Sequence, residues 1–560
     1  MPLDLVIRNA LIVDGLGNPP RHGDLGVQDG RIAVVGAGAG KGARELDADG
    51  RVLAPGIIDN HTHYDAQITW DPTLAPSPAL GVTTAIIGNC GFAIAPCKPT
   101  HRDLTMRHLT HVEGMSLDAL RRGVRWEFES FPEYFDMLER SGFVPNVAGY
   151  VGHSSVRSWV MGDAAVERAA TADEVREMRA IVADAMRAGA IGFATSTSPA
   201  HNGEGGTPMP SRLAGERELR ALVGAVGDCG HGVFMLTKGG QTRMDFLESL
   251  AQESGRPVVV AALLHNRTNP DAVFQDMRAI AAARERGNRL YGAVSACVLT
   301  FDFTLADPYP LEGLQSWQPA LAVQAEALRR TLADAGFRGA IKDELARPAT
   351  FRIFNGEWEE IFVVETRDQR HRWMEHRSLA ELGHTTGKHP LDVMLDLALD
   401  EDLKTVFVAT TLNSDEGAVG RLILDEHSLV SLSDAGAHLT FFCDAGFGLH
   451  VLGHWVRERR LMPIEAAVRK LTSDPAELFG MRDRGRLTPG AWADLLLFDP
   501  ATVGRGAKER VFDLPGGAPR LTTPAIGVYG VWVNGVQVAD ESGILAHCGR
   551  PGRLLRKFEN

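Results

Sequence analysis

The chain has 560 residues, more than a single hydrophobic core usually organises, so we expect one large domain and one smaller domain. Hydrophobic residues make up 44% and charged residues 23%, a composition typical of globular enzymes. The formal net charge of −13, without a long basic run, argues against nucleic acid or an anionic membrane as the partner.

Targeting and cysteine patterns predict a cytoplasmic protein. The N-terminus lacks the charged and apolar regions of a signal peptide, and no apolar stretch approaches the roughly 20 residues of a membrane span. The six cysteines are scattered without the spacing of a disulfide framework, which favours a reducing compartment.

Short alternating apolar runs occur at both ends of the chain, separated by Asp-Gly and other glycine-rich turns. Such runs predict strands that are too short to form a domain by themselves. Because chain termini tend to lie close together, we expect residues 1–53 and 481–560 to form one small β-sandwich. The runs are 5–13, 31–36, 493–499 and 526–535.

Between the two ends, residues 54–480 alternate strand-like apolar runs with amphipathic helical stretches. Eight such units predict an α/β fold, a TIM-like (β/α)8 barrel with a parallel sheet. The helix predicted over 171–187 starts with a capping box formed by Thr171 and Glu174. The predicted strands are 52–63, 82–90, 147–153, 190–195, 232–237, 257–263, 290–296 and 428–434.

The interval 311–403 is too long for one βα unit and carries helical stretches rich in tryptophan and charge. We expect a helical insertion before the last barrel strand, lying over the mouth of the barrel. Loops at that face carry function in this fold.

The first predicted barrel strand leads into His61-Thr62-His63. Since side chains alternate across a strand, both histidines should point to the same side. Two imidazoles that converge at the end of a buried strand can hold a divalent cation. A bare His-x-His pattern is equally consistent with two unrelated core or surface histidines.

Other residues suited to chemistry follow the remaining strands, and in a barrel these strand ends form one face. A cation on that face would lower the pKa of a bound water and polarise a substrate carbonyl. Asp434 would then take the proton from that water and pass it to the leaving amine. The residues at or just past strand ends are His61, His63, Cys90, His153, Thr237, Lys238 and Asp434.

The order of these motifs resembles the metal-dependent amidohydrolase superfamily, and within it the D-aminoacylase (N-acyl-D-amino-acid deacylase) group. Single motifs are weak, but the ordered series is specific and covers nearly the whole chain outside the insertion. The matching stretches are 55–63, 81–84, 88–91, 151–154, 189–192, 433–436 and 484–495.

That resemblance implies a (β/α)8 barrel, a β-sandwich built from both termini and zinc-dependent hydrolysis of an N-acyl amide. It also implies that Cys90 is a thiolate ligand, which suits zinc as a borderline-soft ion. The alternative interpretation, from the residues alone, is that Cys90 is a small buried hydrophobic residue.

Two departures from the D-aminoacylase pattern concern the metal. That group has histidine ligands at the end of the fifth strand and on the sixth, whereas this chain has Thr237-Lys238 and, beyond the sixth strand, His265. Lys238 is open to three interpretations: a carboxylated bridging ligand, a contact for a substrate carboxylate, or a surface lysine. His265 is either a substitute ligand or a loop residue. We therefore expect one zinc ion rather than two, held by some of His61, His63, Cys90 and Asp434.

A third departure follows Asp434. The D-aminoacylases carry an arginine there that suits a substrate carboxylate, but this chain has Phe441 and Phe442. The aromatic pair favours an apolar acyl group or a substrate without a free carboxylate, or it packs beneath the insertion. His153 is interpreted either as a substrate contact or as a structural residue.

The sequence thus predicts a zinc-dependent hydrolase of an N-acyl amino acid or a related small N-acyl compound. One alternative is hydrolysis of a cyclic amide, an ester or a carbamate by the same chemistry, since fold does not fix substrate. Another is a binding homologue without catalysis. A homo-oligomer is compatible with the sequence.

Overall fold

A computed structural model describes residues 2–203, 206–347, 349, 352–437 and 443–560. Its centre is an eight-stranded parallel sheet, with each barrel strand paired to the next in chain order. A parallel bridge between Thr62 and Ala435 joins the two ends of this sheet. The predicted TIM-like barrel is confirmed. Its strands are Ile57–Asp59, Val82–Ile87, Asn146–Gly152, Gly192–Ser196, Val233–Thr237, Val258–Ala261, Leu290–Val294 and Ser428–Val430.

Amphipathic helices connect these strands and cover the barrel. The helix Ala172–Arg187 has the predicted capping box. The Thr171 hydroxyl accepts a hydrogen bond from the backbone N–H of Glu174, and the Glu174 carboxylate accepts one from the backbone N–H of Thr171. The other helices of this layer are Arg102–Val112, Leu117–Gly123, Phe131–Ser141, His153–Met161, Glu216–Asp228, Met244–Ser254, Ala272–Glu285, Glu416–Leu424, Phe447–His450, Ile464–Leu471 and Ser473–Leu478, with a π-helix at Val451–Glu458.

Both chain ends contribute to a second sheet of nine strands. The apolar run expected to be one strand is divided at Gly56, so that Val52–Pro55 pairs with Leu495–Phe498 and the next residues start the barrel. A Cβ at Gly56 would overlap the Thr83 side chain. The nine strands are Leu3–Ile12, Arg21–Gln28, Arg31–Gly36, Gly42–Asp47, Val52–Pro55, Leu495–Phe498, Val528–Val533, Val536–Asp540 and Gly543–Ile544.

Two short hairpins accompany the C-terminal part of this sheet. Gly504–Arg505 pairs with Ala525–Ile526, and Glu509–Leu514 pairs with Ala518–Thr522. The domain limits at 53/54 and 480/481 remain predictions.

Between the seventh and eighth barrel strands the chain forms an additional layer with its own hydrophobic core, in which Trp317 is fully buried. It contains a three-stranded antiparallel sheet besides the expected helices. The strands are Leu299–Phe303, Ile361–Glu365 and Val406–Leu412, and the helices are Gln318–Leu321, Ala325–Ala333, Ala335–Leu345, Leu379–Thr386 and Pro390–Asp400. Within the described residues, no helix combines the length and the apolar character needed to cross a membrane.

Candidate metal centre and active site

Three buried side chains at the ends of the first two barrel strands could hold a metal ion. One ligand atom from each of His61, His63 and Cys90 lies within 4.8 Å of the others. Sγ of Cys90 is 3.5 Å from Nε2 of His61. Cys90 follows the second strand with a φ of 57°, in the left-handed region that few residues other than glycine adopt. Backbone strain of this kind clusters at functional sites.

Asp434 lies beside this trio although it follows the last barrel strand. Its Oδ1 is 3.3 Å from Nε2 of His61 and 3.8 Å from Nε2 of His63. Its backbone φ is 48°, so it shares with Cys90 the left-handed conformation. The structure therefore brings together the four predicted donors, two imidazoles, one thiol and one carboxylate.

Hydrogen bonds across the barrel seam hold Asp434 in this place. The His63 N–H donates to the Ala435 carbonyl at 2.8 Å. The Ser433 hydroxyl donates to Oδ2 of Asp59 at 2.7 Å, so the residue before Asp434 is tied to the first strand. Burial raises the pKa of the Asp59 carboxyl to about 7. The site thus depends on contacts between the first and last strands.

The charges around the trio fit a cation. The described residues that line this small pocket include acidic groups but neither lysine nor arginine. Burial opposes a charge on His63, but Glu113 and Asp434 outweigh it and raise the pKa of that imidazole well above its usual range. Burial also raises the pKa of the Cys90 thiol. Imidazole, thiolate and carboxylate are the donors that zinc accepts, so the residues fit a zinc ion.

Two residues that sequence reasoning missed also line this pocket, Glu113 and His201. Oε1 of Glu113 is 3.0 Å from Nδ1 of His63, and Glu113 is 2% exposed. Nδ1 of His201 is 2.7 Å from the hydroxyl of Ser196, the last residue of the fourth barrel strand. A search of strand-end loops for His and Glu could have found His201. Glu113 follows the helix Arg102–Val112 and carries no such signal.

A cleft of about 290 Å³ opens beside Asp434, between the barrel loops and the inserted layer. Its walls combine apolar side chains from both parts with a few polar groups, as is typical of small-molecule sites. The lining includes His201, Thr237, Lys238, Leu263, Leu264, Asn266, Val273, Asp276, Leu299, Phe301, Tyr309, Arg352, Ile353, Leu412 and Asp434.

Lys238 lines the cleft, and its Nζ is 2.9 Å from Oδ2 of Asp276. It does not line the pocket of the donor trio. The residue before it, Thr237, has its hydroxyl 3.1 Å from Sγ of Cys90. His265 lines neither space: its backbone pairs with Asn413, so the structure does not bring it to the donors.

His153 is fully buried rather than exposed to the cleft. Its Nδ1 is 2.7 Å from the Thr195 hydroxyl and its Nε2 is 2.8 Å from Oε1 of Glu218. Burial lowers the pKa of this imidazole despite Glu218. These contacts differ from the predicted substrate contact and agree with the structural alternative. Phe441 and Phe442 lie outside the described residues.

Comparison with known proteins places this chain among amidohydrolases. The model of the Amidohydrolase family matches residues 44–539. The chain is 31% identical to an N-acyl-D-glutamate deacylase of Alcaligenes xylosoxydans xylosoxydans, over 99% of this chain and 97% of that protein.

Two solved structures are similar over the whole chain. One is an N-acyl-D-glutamate deacylase from Bordetella bronchiseptica, complexed with zinc and a phosphonate that mimics the tetrahedral intermediate; it is 27% identical, with a TM-score of 0.69 and complete coverage of both chains. The other is a D-aminoacylase studied for its binuclear metal centre, with one-metal activation and second-metal attenuation. It is 25% identical, with a TM-score of 0.67, and the match covers 99% of this chain and 100% of that one.

Proposed function

Because this chain belongs to the amidohydrolase family, we propose that it hydrolyses the amide bond of an N-acyl-D-amino acid. Members of this group are metal-dependent hydrolases of C–N bonds other than peptide bonds, and so is this protein. The observation that carries the proposal is the Asp434 carboxylate, which lines the cleft and lies within 3.8 Å of Nε2 of both His61 and His63.

In this proposal Asp434 moves the proton. Zinc, when bound, supplies Lewis acidity that polarises a carbonyl and lowers the pKa of water. Asp434 removes one proton from the attacking water, and the water oxygen bonds to the acyl carbon. Asp434 then donates that proton to the amine nitrogen as the C–N bond breaks. The products are a carboxylic acid and the free amino acid.

We propose that one zinc ion is sufficient. His61, His63 and Cys90 supply three donors, the usual number of protein ligands at a catalytic zinc, and leave the fourth position to water or substrate beside Asp434. At the positions where D-aminoacylases carry two further histidines, this pocket is lined by Thr237 and Ala262. The one-metal activation described for the D-aminoacylase relative supports this count.

The cleft supports a substrate with an apolar part and a carboxylate. Leu263, Leu299 and Phe301 offer an apolar wall for the acyl chain. Lys238 offers an ammonium group for the carboxylate, although Asp276 partly neutralises it. The proposed preference for D-amino acid substrates rests on the similarity of this chain to the two N-acyl-D-glutamate deacylases. A homo-oligomer and a cytoplasmic location remain predictions.

The proposal is tested by zinc content per chain and amine release on the same preparation. The substrates are matched N-acyl-D- and N-acyl-L-amino acids, with a hydantoin and an ester as alternatives. About one zinc with amine release from the D series supports the proposal. Zinc with cleavage of only the hydantoin or the ester would contradict it, and protein that takes up no zinc would overturn the hydrolase mechanism.

A further inference from the structure

Glu113 has an unusual environment for a carboxylate. It is 2% exposed and lines the pocket of the donor trio. In the described part of the chain, Oε1 makes no hydrogen bond of standard geometry, and its closest ionic contact is Nδ1 of His63 at 3.0 Å. Burying a carboxylate without a partner costs free energy, so we expect Glu113 to interact with a hydrogen-bond donor or a positive charge.

The two nitrogens of His63 face different groups. Nε2 faces Asp434 at 3.8 Å, on the side of Cys90 and His61. Nδ1 faces Glu113 on the opposite side of the ring. In neutral imidazole only one nitrogen carries a proton, and a hydrogen bond at one nitrogen decides which. A carboxylate at Nδ1 therefore leaves the lone pair of Nε2 available to the donor cluster.

We propose that Glu113 is a positioning residue for the zinc ligand His63: it accepts the Nδ1–H and thereby fixes the tautomer and the orientation of the ring. The inference rests on the proposed zinc site. Carboxylates behind metal-binding histidines generally act in this way and raise the basicity of the ligand. The 3.0 Å contact is not aligned as a hydrogen bond here, and such contacts often tighten only in the loaded site.

The composition of this pocket explains the need for such a residue. Thr237 and Ala262 contribute no imidazole from the fifth and sixth strands. The affinity for zinc then depends on fewer protein ligands, so each ligand must be held in the orientation that binds the metal. His61 is held from the backbone by Ser433, whose hydroxyl is 3.1 Å from its carbonyl. For His63, Glu113 holds the side chain itself.

The test measures metal binding rather than turnover. Zinc affinity of the metal-free protein is determined by competition with a chromophoric chelator for the unsubstituted protein, Glu113→Ala and Glu113→Gln. We expect Glu113→Ala to weaken zinc binding about 10- to 100-fold. Glu113→Gln keeps the size and one acceptor oxygen, so its loss should be smaller. If Glu113→Ala does not fold, the isosteric Glu113→Gln still gives a measurable affinity.

The visible spectrum of the cobalt-substituted protein separates positioning from direct ligation. A positioning residue leaves the ligand set and the absorption bands unchanged while affinity falls. Altered bands in Glu113→Gln would mean that Glu113 is itself a ligand and would overturn the inference, as would unchanged zinc affinity in both variants. If the unsubstituted protein binds no zinc, the proposed function fails first, which is a distinct result.

The chain offers a matched control in the inserted layer. Nδ1 of His371 is also 3.0 Å from a buried glutamate, Glu401. Glu401→Ala should lower the thermal unfolding midpoint because Glu401 also accepts backbone N–H groups. Its zinc affinity should not change. A comparable loss of zinc affinity in Glu401→Ala would show that the Glu113 effect is general destabilisation.

Discussion

Oδ1 of Asp434 lies 3.3 Å from Nε2 of His61, and the two residues follow the last and the first strands of the barrel. Closure of the barrel creates this contact, because the bridge between Thr62 and Ala435 joins the neighbouring residues. The Asp434 carboxylate and the His61 imidazole are far apart in the sequence and meet only because the barrel closes. Any change that loosens the barrel seam should therefore act on the chemistry as well as on stability.

The first prediction concerns proton transfer. Asp434→Asn keeps the shape of the side chain but removes its basicity, so kcat should fall about 10²- to 10⁴-fold, the usual contribution of a general acid–base residue. Steady-state amine release, with zinc content measured on the same sample, checks this. Zinc content should fall less than kcat because the two histidines and Cys90 remain.

Asp302 provides the control for Asp434→Asn. It is a partly buried carboxylate on an inserted strand, 4.0 Å from Arg510. Asp302→Asn should keep kcat within about twofold, as expected of a substitution away from the reacting groups. Undiminished turnover in Asp434→Asn would exclude Asp434 as the general base.

The second prediction concerns the thiolate. Replacing Cys90 with serine exchanges a soft donor for a hard one, so zinc binding should weaken. In the cobalt-substituted protein, the sulfur-to-cobalt charge-transfer absorption should disappear. Cys97→Ser is the matched control, since Cys97 is buried but contacts Thr105. Persistence of the charge-transfer band in Cys90→Ser would show that Cys90 does not bind the metal.

Much of the barrel could be predicted because buried parallel strands leave apolar runs, and because alternation along a strand decides which residues share a side. His61 and His63 came from that rule, and Asp434 came from its position at the end of the last predicted strand. The structure divides the first apolar run at Gly56, where only a residue without a side chain fits against Thr83. The run itself does not reveal that division.

Side-chain directions were harder to predict where the chain turns beyond the end of a strand. His153 is the first residue of a helix, His153–Met161, and its ring is directed to Glu218. Glu113 follows a helix and reaches His63 only through tertiary packing. Strand-end reasoning identifies positions on the active-site face, but it does not give the direction of a side chain in the loop or helix that comes next.

The third prediction concerns the Lys238–Asp276 pair in the cleft. If Lys238 binds the substrate carboxylate, Lys238→Met should raise KM for an N-acyl amino acid by about tenfold, equivalent to about 1.4 kcal/mol. Asp276→Asn should lower KM because it removes the competing and repelling carboxylate. Both changes should leave kcat nearly constant, as expected when uniform binding is altered.

The corresponding N-acyl amino amide, which lacks the carboxylate, is the control substrate for this pair. Its KM should be insensitive to Lys238→Met. Equal increases in KM for acid and amide would indicate that Lys238 shapes the cleft without contacting the carboxylate. A rise in KM with Asp276→Asn would assign Asp276 a binding role of its own.

The last prediction is a pH dependence of stability that arises from His153. Because burial lowers the pKa of His153 in the folded protein, the folded state keeps this ring neutral at pH values where the unfolded state, with a pKa of about 6.5, takes up a proton. The contribution of His153 to the free energy of unfolding is therefore fully present above about pH 6.5. It decreases as the pH falls below that value, by at most about 1.4 kcal/mol per pH unit. His153→Gln, which removes the titrating group but can still donate to Glu218, should show a smaller decrease of the thermal unfolding midpoint between about pH 7.5 and about pH 5.5. Comparing the two proteins at each pH cancels the contribution of the other histidines. Parallel midpoint curves for the two proteins would show that His153 does not contribute to the acid sensitivity.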